Sequence, residues 1–247
     1  MYRVMHPGQF VWNDLVSPSP AASQRFYQEL FGWWSRTEGG HLIMAASHRQ
    51  GVTQVCAIEP GEWPHWRPYI DVTDLDAHLA LVEKAGGRVA KPAAPHPLGR
   101  YAVISDPSGG IYAAVQLSGR APAAAPIAPG LMVWHQLMTT SLDKALPFYQ
   151  AVFGWERHGP PGWHAFVGEG GTDLGVISQE PEPRGSAWIG YVQVEDVTGA
   201  TARAVALGAE VVFPPRELAP LGHLSVLLDP NGVSFGLINR TVGQTVG

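Results

Sequence analysis

Two stretches of the chain carry polar and aromatic side chains at the two-residue spacing that places them on one face of a β-strand. Trp12 and Asp14 form one set, and Arg67, Tyr69 and Asp71 the other. Together they offer an indole, a phenol, two carboxylates and a guanidinium. Aromatic walls with a few polar anchors suit a flat organic ligand. The carboxylates add the option of a cationic or amine-bearing one. If burial raised its pKa, Asp14 could also serve as a base, with Tyr69 stabilising developing negative charge. A related set recurs later as Trp134 and Gln136, then Ile189, Tyr191 and Gln193. The Trp and Tyr are kept, while Asp14 becomes Gln136, Asp71 becomes Gln193 and Arg67 becomes Ile189. Shape is retained and ionic charge is removed.

The elements that must position these residues are themselves duplicated. Shifted by 122 positions, Gly8 meets Gly130, Trp12 meets Trp134, and Phe26-Tyr27-Gln28 meets Phe148-Tyr149-Gln150. Phe31-Gly32-Trp33 meets Phe153-Gly154-Trp155, Trp66 meets Trp188, and Asp74 meets Asp196. One inserted residue shifts the offset to 123, which brings Asp106-Pro107 onto Asp229-Pro230. Two copies make a pair of like domains and not a solenoid. The expected division is 1–118 and 130–247, joined by a Pro/Ala-rich linker at 119–129. In each half a helix capped by Ser19 or Ser141 ends at Gly32 or Gly154. A second, capped by Asp74 or Asp196, ends at Gly86 or Gly208. Pro147 predicts a kink or a late start in its helix. Strands are expected at Phe10–Val16, Leu42–Ala46, Thr53–Ile58, Tyr69–Val72, Arg88–Lys91, Tyr101–Ser105 and Ile111–Gln116, with counterparts in the second half. Asp106-Pro-Ser-Gly and Asp229-Pro-Asn-Gly read as tight turns, and their aspartates as turn formers.

A strand, a helix ending FYQELFGW, a second strand–helix unit ending in Gly and a closing DP-x-G hairpin resemble the glyoxalase / bleomycin-resistance / extradiol-dioxygenase superfamily, also called vicinal oxygen chelate. The duplicated W-x-x-L and FY-x-x-x-FGW motifs are similar to its tandem two-domain members. The resemblance implies an α+β fold of four βαβββ modules. Each half would form a curved mixed sheet, with helices on its convex face and a cleft on its concave face. It also implies metal ligands, His or Glu, on the first and last strands of each module. Those positions fall here on Trp12, Arg67 and Ala113, and on Trp134, Ile189 and Gly236. None can ligate a metal, so no metal or other cofactor is expected. Arg100 and His223 hold matching places before the DP turns, where they are expected at the cleft rims. His135 is expected to point away from the cleft, packed and hydrogen-bonded.

Plainer roles compete with these. Trp12 and Trp134 could be core fillers. Asp14, Arg67 and Asp71 could pair among themselves. Trp66, Trp188, Tyr27 and Tyr149 read as packing residues. A binding protein for an aromatic or cationic small molecule is expected. The alternative is a glyoxalase-like lyase or dioxygenase, either metal-dependent or metal-free with Asp14 as base. A third class is an interaction module with vestigial clefts. Bulk properties narrow the partners. Sixteen basic against 21 acidic residues give a net charge of −5, with no basic field for nucleic acid and no polybasic stretch for a membrane surface. One cysteine, Cys56, excludes an internal disulfide. A cytoplasmic monomer or homodimer is expected.

Overall fold

A computed structural model of the chain describes residues 8–47, 50–119, 127–158, 163–168, 172–179, 185–219 and 221–240. Most of the expected linker lies outside them. The first half runs β1 (Phe10–Ser17), α1 (Pro20–Phe31), β2 (Trp34–Glu38), β3 (His41–Ser47), β4 (Gln50–Ala57), β5 (His65–Asp71), α2 (Leu75–Lys84), β6 (Arg88–His96), β7 (Gly99–Ser105) and β8 (Ile111–Leu117). The second half repeats this as β9 (Met132–Thr139), α3 (Leu142–Phe153), β10 (Glu156–His158), β11 (Trp163–Gly168), β12 (Thr172–Gln179), β13 (Ala187–Gln193), α4 (Val197–Ala206), β14 (Glu210–Leu218), β15 (Gly222–Leu228) and β16 (Ser234–Asn239). Each half is therefore two βαβββ modules. Strand β2, which holds the polar run Trp34–Glu38, has no counterpart among the strands expected from sequence.

Each half builds its own eight-stranded mixed sheet. The orders are β2-β3-β4-β1-β5-β8-β7-β6 and β10-β11-β12-β9-β13-β16-β15-β14. The first strands of the two modules pair antiparallel at the centre, and each also pairs parallel with the last strand of its own module. The cleft face of each sheet thus belongs to one half alone.

The opposite faces, which carry the helices, pack across the halves. One core joins Phe26, Tyr27 and Leu30 of α1 to Val197, Ala200, Phe235 and Leu237 of the second half. The other joins Leu75, Val82 and Tyr112 of the first half to Phe148, Tyr149 and Val152 of α3. Trp66 lies in the first core and Trp188 in the second, as their alternation with Tyr69 and Tyr191 requires. At the centre of this seam the repeat-equivalent residues Asn13 and His135 meet. Asn13 Oδ1 lies 2.7 Å from His135 Nε2, and Phe10 stacks on the imidazole at 4.0 Å. With its amide oxygen facing the ring, Asn13 fixes the Nε2–H tautomer. Burial pushes this imidazole down to about 3, so it is neutral at pH 7.

The helix ends differ in detail from expectation. Asp74 and Asp196 cap their helices by accepting from Ala77 N and Gly199 N, both at 3.0 Å. Ser19 and Ser141 occupy N-cap positions, but neither hydroxyl makes a capping bond. Their backbone amides are held instead by Ser17 Oγ and Thr139 Oγ1, at 3.1 Å each. Pro147 does not delay α3, which starts at Leu142, the equivalent of Pro20. A proline this near the N-terminus forgoes a single intrahelical bond, to residue 143, and the packed face formed by Phe148, Tyr149 and Val152 outweighs that loss. Gly32 and Gly154 end their helices with φ of 70° and 66°, the left-handed stop expected from sequence.

Candidate functional site

The first cleft is built on the central strand pair. Antiparallel register sets Asp14 opposite Arg67 and Trp12 opposite Tyr69. An irregularity between Phe10 and Trp12 turns Phe10 to the helix side while Trp12 and Asp14 stay in the cleft. Trp12 needs a bare backbone beneath it, because a Cβ on Gly51 would come within 3.0 Å of its ring. Asp14 Oδ2 accepts from Arg67 Nη2 at 2.9 Å and from the Tyr69 hydroxyl at 2.7 Å. All three residues are buried. Arg67 Nη1 lies 3.5 Å from Glu62, which Lys91 also meets at 2.8 Å. Positive and negative groups therefore alternate across the cleft floor. Burial and the neighbouring Asp14 carboxylate hold the Tyr69 phenol well above its usual range, so it stays a donor. Burial works against the Arg67 charge, but Asp14 more than offsets it.

Among the described residues four polar atoms of Trp12, Asp14 and Arg67 lack a hydrogen-bond partner, all closed off from bulk solvent. One, Arg67 Nη1, has Glu62 at ion-pair distance, and the others, Trp12 Nε1, Asp14 Oδ1 and Arg67 Nε, have neither. Buried polar atoms ordinarily find a protein, water or ligand partner. Two donors and one acceptor are thus presented from adjacent strands. Tyr101 and His96 stack beside Tyr69, with ring centroids 5.6 and 4.9 Å away, and complete an aromatic wall.

The second cleft keeps the aromatic frame but is closed on itself. Gln136 accepts from Tyr191 and donates to Ser178 Oγ at 2.7 Å, so both ends of its amide are engaged. Ile189, opposite Gln136, fills the place of Arg67. Trp134, Val176, Ile189, Tyr191, Leu224, Val226 and Ile238 form one buried cluster there. Gly236 lets Tyr191 lie flat, since a Cβ on it would collide with the ring.

The remaining expected site residues lie apart from the Asp14 cluster. Asp71 shares the cleft face, but its Oδ1 accepts from Gln9 N at 2.7 Å and pins the strand end. Gln193 likewise holds the backbone of Arg240, with Arg240 N donating to Oε1 at 3.1 Å. Arg100 and His223 are not at the cleft rims. Arg100 pairs with Gln116, whose side chain faces α2, and its guanidinium reaches Asp76 on that helix at 3.1 Å. His223 pairs with Asn239, whose side chain faces away from the cleft toward Glu195 O. Strand alternation gives the cleft to the next residues, Tyr101 and Leu224. Sequence reading also missed Glu62, Cys56 and His65, which gather around Arg67. Cys56 Sγ accepts from Gln54 Nε2 at 3.1 Å, and burial pushes its thiol up to about 12. His65 is fixed by a 2.6 Å contact from Nδ1 to Trp63 O, and burial keeps its imidazole neutral. The signal was available as alternation, since His65-x-Arg67-x-Tyr69 stands against Ala187-x-Ile189-x-Tyr191. Beside His65, a hollow of about 600 Å³ opens at the seam of the halves, among Trp63, Met138, Val211 and Phe213.

The ligand positions implied for a metal do not fit one. In the first half they carry an indole, a guanidinium and a methyl group, and the Arg67 guanidinium places a fixed positive charge where an ion would sit. Among the described residues no three of His, Cys, Asp or Glu are placed so that they could hold a metal ion. No helix among them is long and apolar enough to cross a membrane.

Comparison with known proteins agrees with this architecture. The glyoxalase-like domain family model matches twice, at residues 11–115 and 134–238. A putative glyoxylase, CFP32, of Mycobacterium tuberculosis is 31% identical, with 94% of this chain and 95% of that one covered. The anthracycline biosynthesis protein DnrV of Streptomyces peucetius is also 31% identical, over 96% and 95% of the two chains. In fold, the chain is similar to a Mn(II)-bound glyoxalase from Novosphingobium aromaticivorans. The TM-score is 0.69 at 14% identity, covering 95% of this chain and 82% of that one. The 2,3-dioxygenase LapB from Pseudomonas sp. KL28 follows with a TM-score of 0.66 at 15% identity, over 97% and 93%. Two matched repeats, the βαβββ modules and full-length relatives together establish that this chain belongs to the glyoxalase-like domain family, within the vicinal oxygen chelate superfamily.

Proposed function

We propose that the protein binds a flat, largely uncharged aromatic molecule in its first cleft, through Trp12, Asp14, Arg67 and Tyr69. The observation that carries this is the set of unpartnered buried atoms, Trp12 Nε1, Arg67 Nε and Asp14 Oδ1. A ligand bearing adjacent hydroxyl and carbonyl groups would donate to the carboxylate and accept from the two N–H groups. Of the two ligand classes open from sequence, the cationic one loses support because Arg67 already neutralises Asp14. Asp14 as a metal-free base also loses support, since its Oδ2 is held by a guanidinium and a phenol. Kinship with DnrV, a protein named for anthracycline biosynthesis, is in keeping with a polycyclic aromatic ligand.

The test uses 1,4-dihydroxyanthraquinone, followed by quenching of tryptophan fluorescence and by calorimetry. The full chain is expected to bind it. Trp12→Phe keeps a ring and deletes the N–H, so affinity should fall about tenfold. Stability should hold, because Nε1 has no protein partner to lose. Equal affinity in both proteins, or no binding by either, would overturn the proposal.

A further inference from the structure

The two clefts share a frame but differ in what lies over the tryptophan. In the second half the guanidinium carbon of Arg240 sits 4.1 Å from the centre of the Trp134 ring. That distance is well inside the range in which a cation is attracted to an indole face. Trp134 is almost wholly buried under this cover. The Arg240 backbone is held from both sides, with N donating to Gln193 Oε1 at 3.1 Å and O accepting from Gln193 Nε2 at 3.4 Å. Strand register identifies the equivalent place in the first half. Gln193 pairs with Ile238 and Asp71 with Val115, so Arg240, two residues on, corresponds to Leu117. Leu117 brings no charge and packs with Trp12 against Tyr69 and Val115. Among the described residues, a guanidinium lying over the cleft tryptophan is therefore found in the second half and not in the first, at the site where its Gln193 clamp replaces Asp71.

We infer that the second cleft is a planar-cation site filled by the chain's own Arg240, so that ligand binds only in the first. The second clause rests on the binding reading of the first cleft; the first clause does not. The Trp134 face, walled by Tyr191 and Gln136, takes a guanidinium because a weakly hydrated cation 4.1 Å from the ring centre is attracted to the indole, while Val176, Leu224 and Ile238 supply apolar walls around it. In this view Arg240 sets the stoichiometry of the protein at one ligand per chain.

Two measurements on the full chain test this. In the first, ethylguanidinium at millimolar concentration is titrated into wild type and into Arg240→Ala, and read by tryptophan fluorescence and melting temperature. The variant should bind it at least tenfold more tightly than wild type and recover melting temperature on binding. Arg240→Gln, which keeps a long side chain over the ring, should behave in the same way. The double variant Arg240→Ala/Trp134→Leu should lose the effect. Equal response of wild type and both single variants would overturn the inference. In the second, 1,4-dihydroxyanthraquinone is titrated calorimetrically into wild type, and one site per chain is expected. Two sites would overturn the inference. No binding would sink the reading of the first cleft instead, and the guanidinium titration would still decide whether Arg240 fills the second.

Discussion

At the scale of single residues, the first cleft turns on one ion pair placed by strand register. Asp14 and Arg67 face each other on β1 and β5, both nearly free of solvent, at 2.9 Å. Removing one member of such a pair leaves the other buried and uncompensated, a loss of roughly 3–5 kcal/mol. Asp14→Asn should therefore lower the urea midpoint substantially, while Arg67→Met with Asp14→Leu should recover much of the loss. A single variant as stable as wild type in urea titration would show that water reaches the pair. Trp12 depends on a neighbour that gives it space. Gly51→Ala puts a methyl group about 3.0 Å from the indole, tighter than ordinary contact, so the ring must move. Dye affinity should fall with little change in stability, as measured by parallel calorimetry and melting. The alternation of Trp12 with Asp14 and of Arg67 with Tyr69 was legible in the sequence, because period two survives along an uninterrupted strand. Arg100 and His223 were not, since their faces are set by the pairing of β7 with β8 and of β15 with β16, and not by their distance from the DP turns. Glu62 precedes β5 and was illegible for another reason, because its place is set by Lys91 on β6 and not by any local period.

At the scale of elements, the FY helices and the DP turns explain each other. The hydroxyl of Tyr149, on α3, donates to Asp106 Oδ2 at 2.8 Å, and that of Tyr27, on α1, donates to Asp229 Oδ2 at 3.1 Å. The other oxygen of each aspartate closes its own turn, accepting from Gly110 N at 3.0 Å and from Val233 N at 2.9 Å. Each turn is thus locked to the helix of the opposite half. Each helix-terminal Trp makes the same crossing. Trp33 Nε1 donates to Gly130 O at 2.7 Å, and Gly8 leaves room for Trp155. Tyr149→Phe should cost about 1–3 kcal/mol, because a buried carboxylate oxygen loses its donor. Tyr27→Phe should cost a similar amount, since its bond to Asp229 is likewise buried. Chemical denaturation of both variants checks this, and no loss in either would show that the turns do not rely on the helices. Both motifs were legible as helix and turn, since each is a local pattern of capping, φ preference and spacing. Their contact was not, since Tyr27 and Asp229 stand 202 residues apart and nothing periodic links them.

At the scale of the whole molecule, the helix-bearing faces of both sheets are buried against each other, so neither half owns a complete core. Neutral imidazoles sit in this seam. His135 meets Asn13 from the other half, and His78 touches the Tyr112 hydroxyl at 3.1 Å and packs on Phe153 of α3. Burial depresses them to about 3 and about 4 respectively, against 6.5 for an open chain. A histidine whose folded pKa lies below its unfolded value stabilises fully only above the unfolded value. As pH falls from about 6.5 toward 4 and then 3, the unfolded chain gains protons that the fold refuses, and stability drops. At about 1.4 kcal/mol per pKa unit, each histidine contributes on the order of a few kcal/mol. Burial holds the carboxyls of Asp71 and Asp229 above their usual range, so these two act in the opposite sense, from about pH 4 upward. The wild-type curve therefore mixes two trends, and variants must separate them. His135→Gln keeps an N–H for Asn13 and cannot titrate. Between pH 6.5 and 4 its urea midpoint should fall less steeply than that of wild type, while above pH 7 the difference between the two should be constant. Parallel curves across the whole range would mean that protonation at the centre of the seam does not couple to folding, and the account of His135 as a buried neutral contact between the halves would fail.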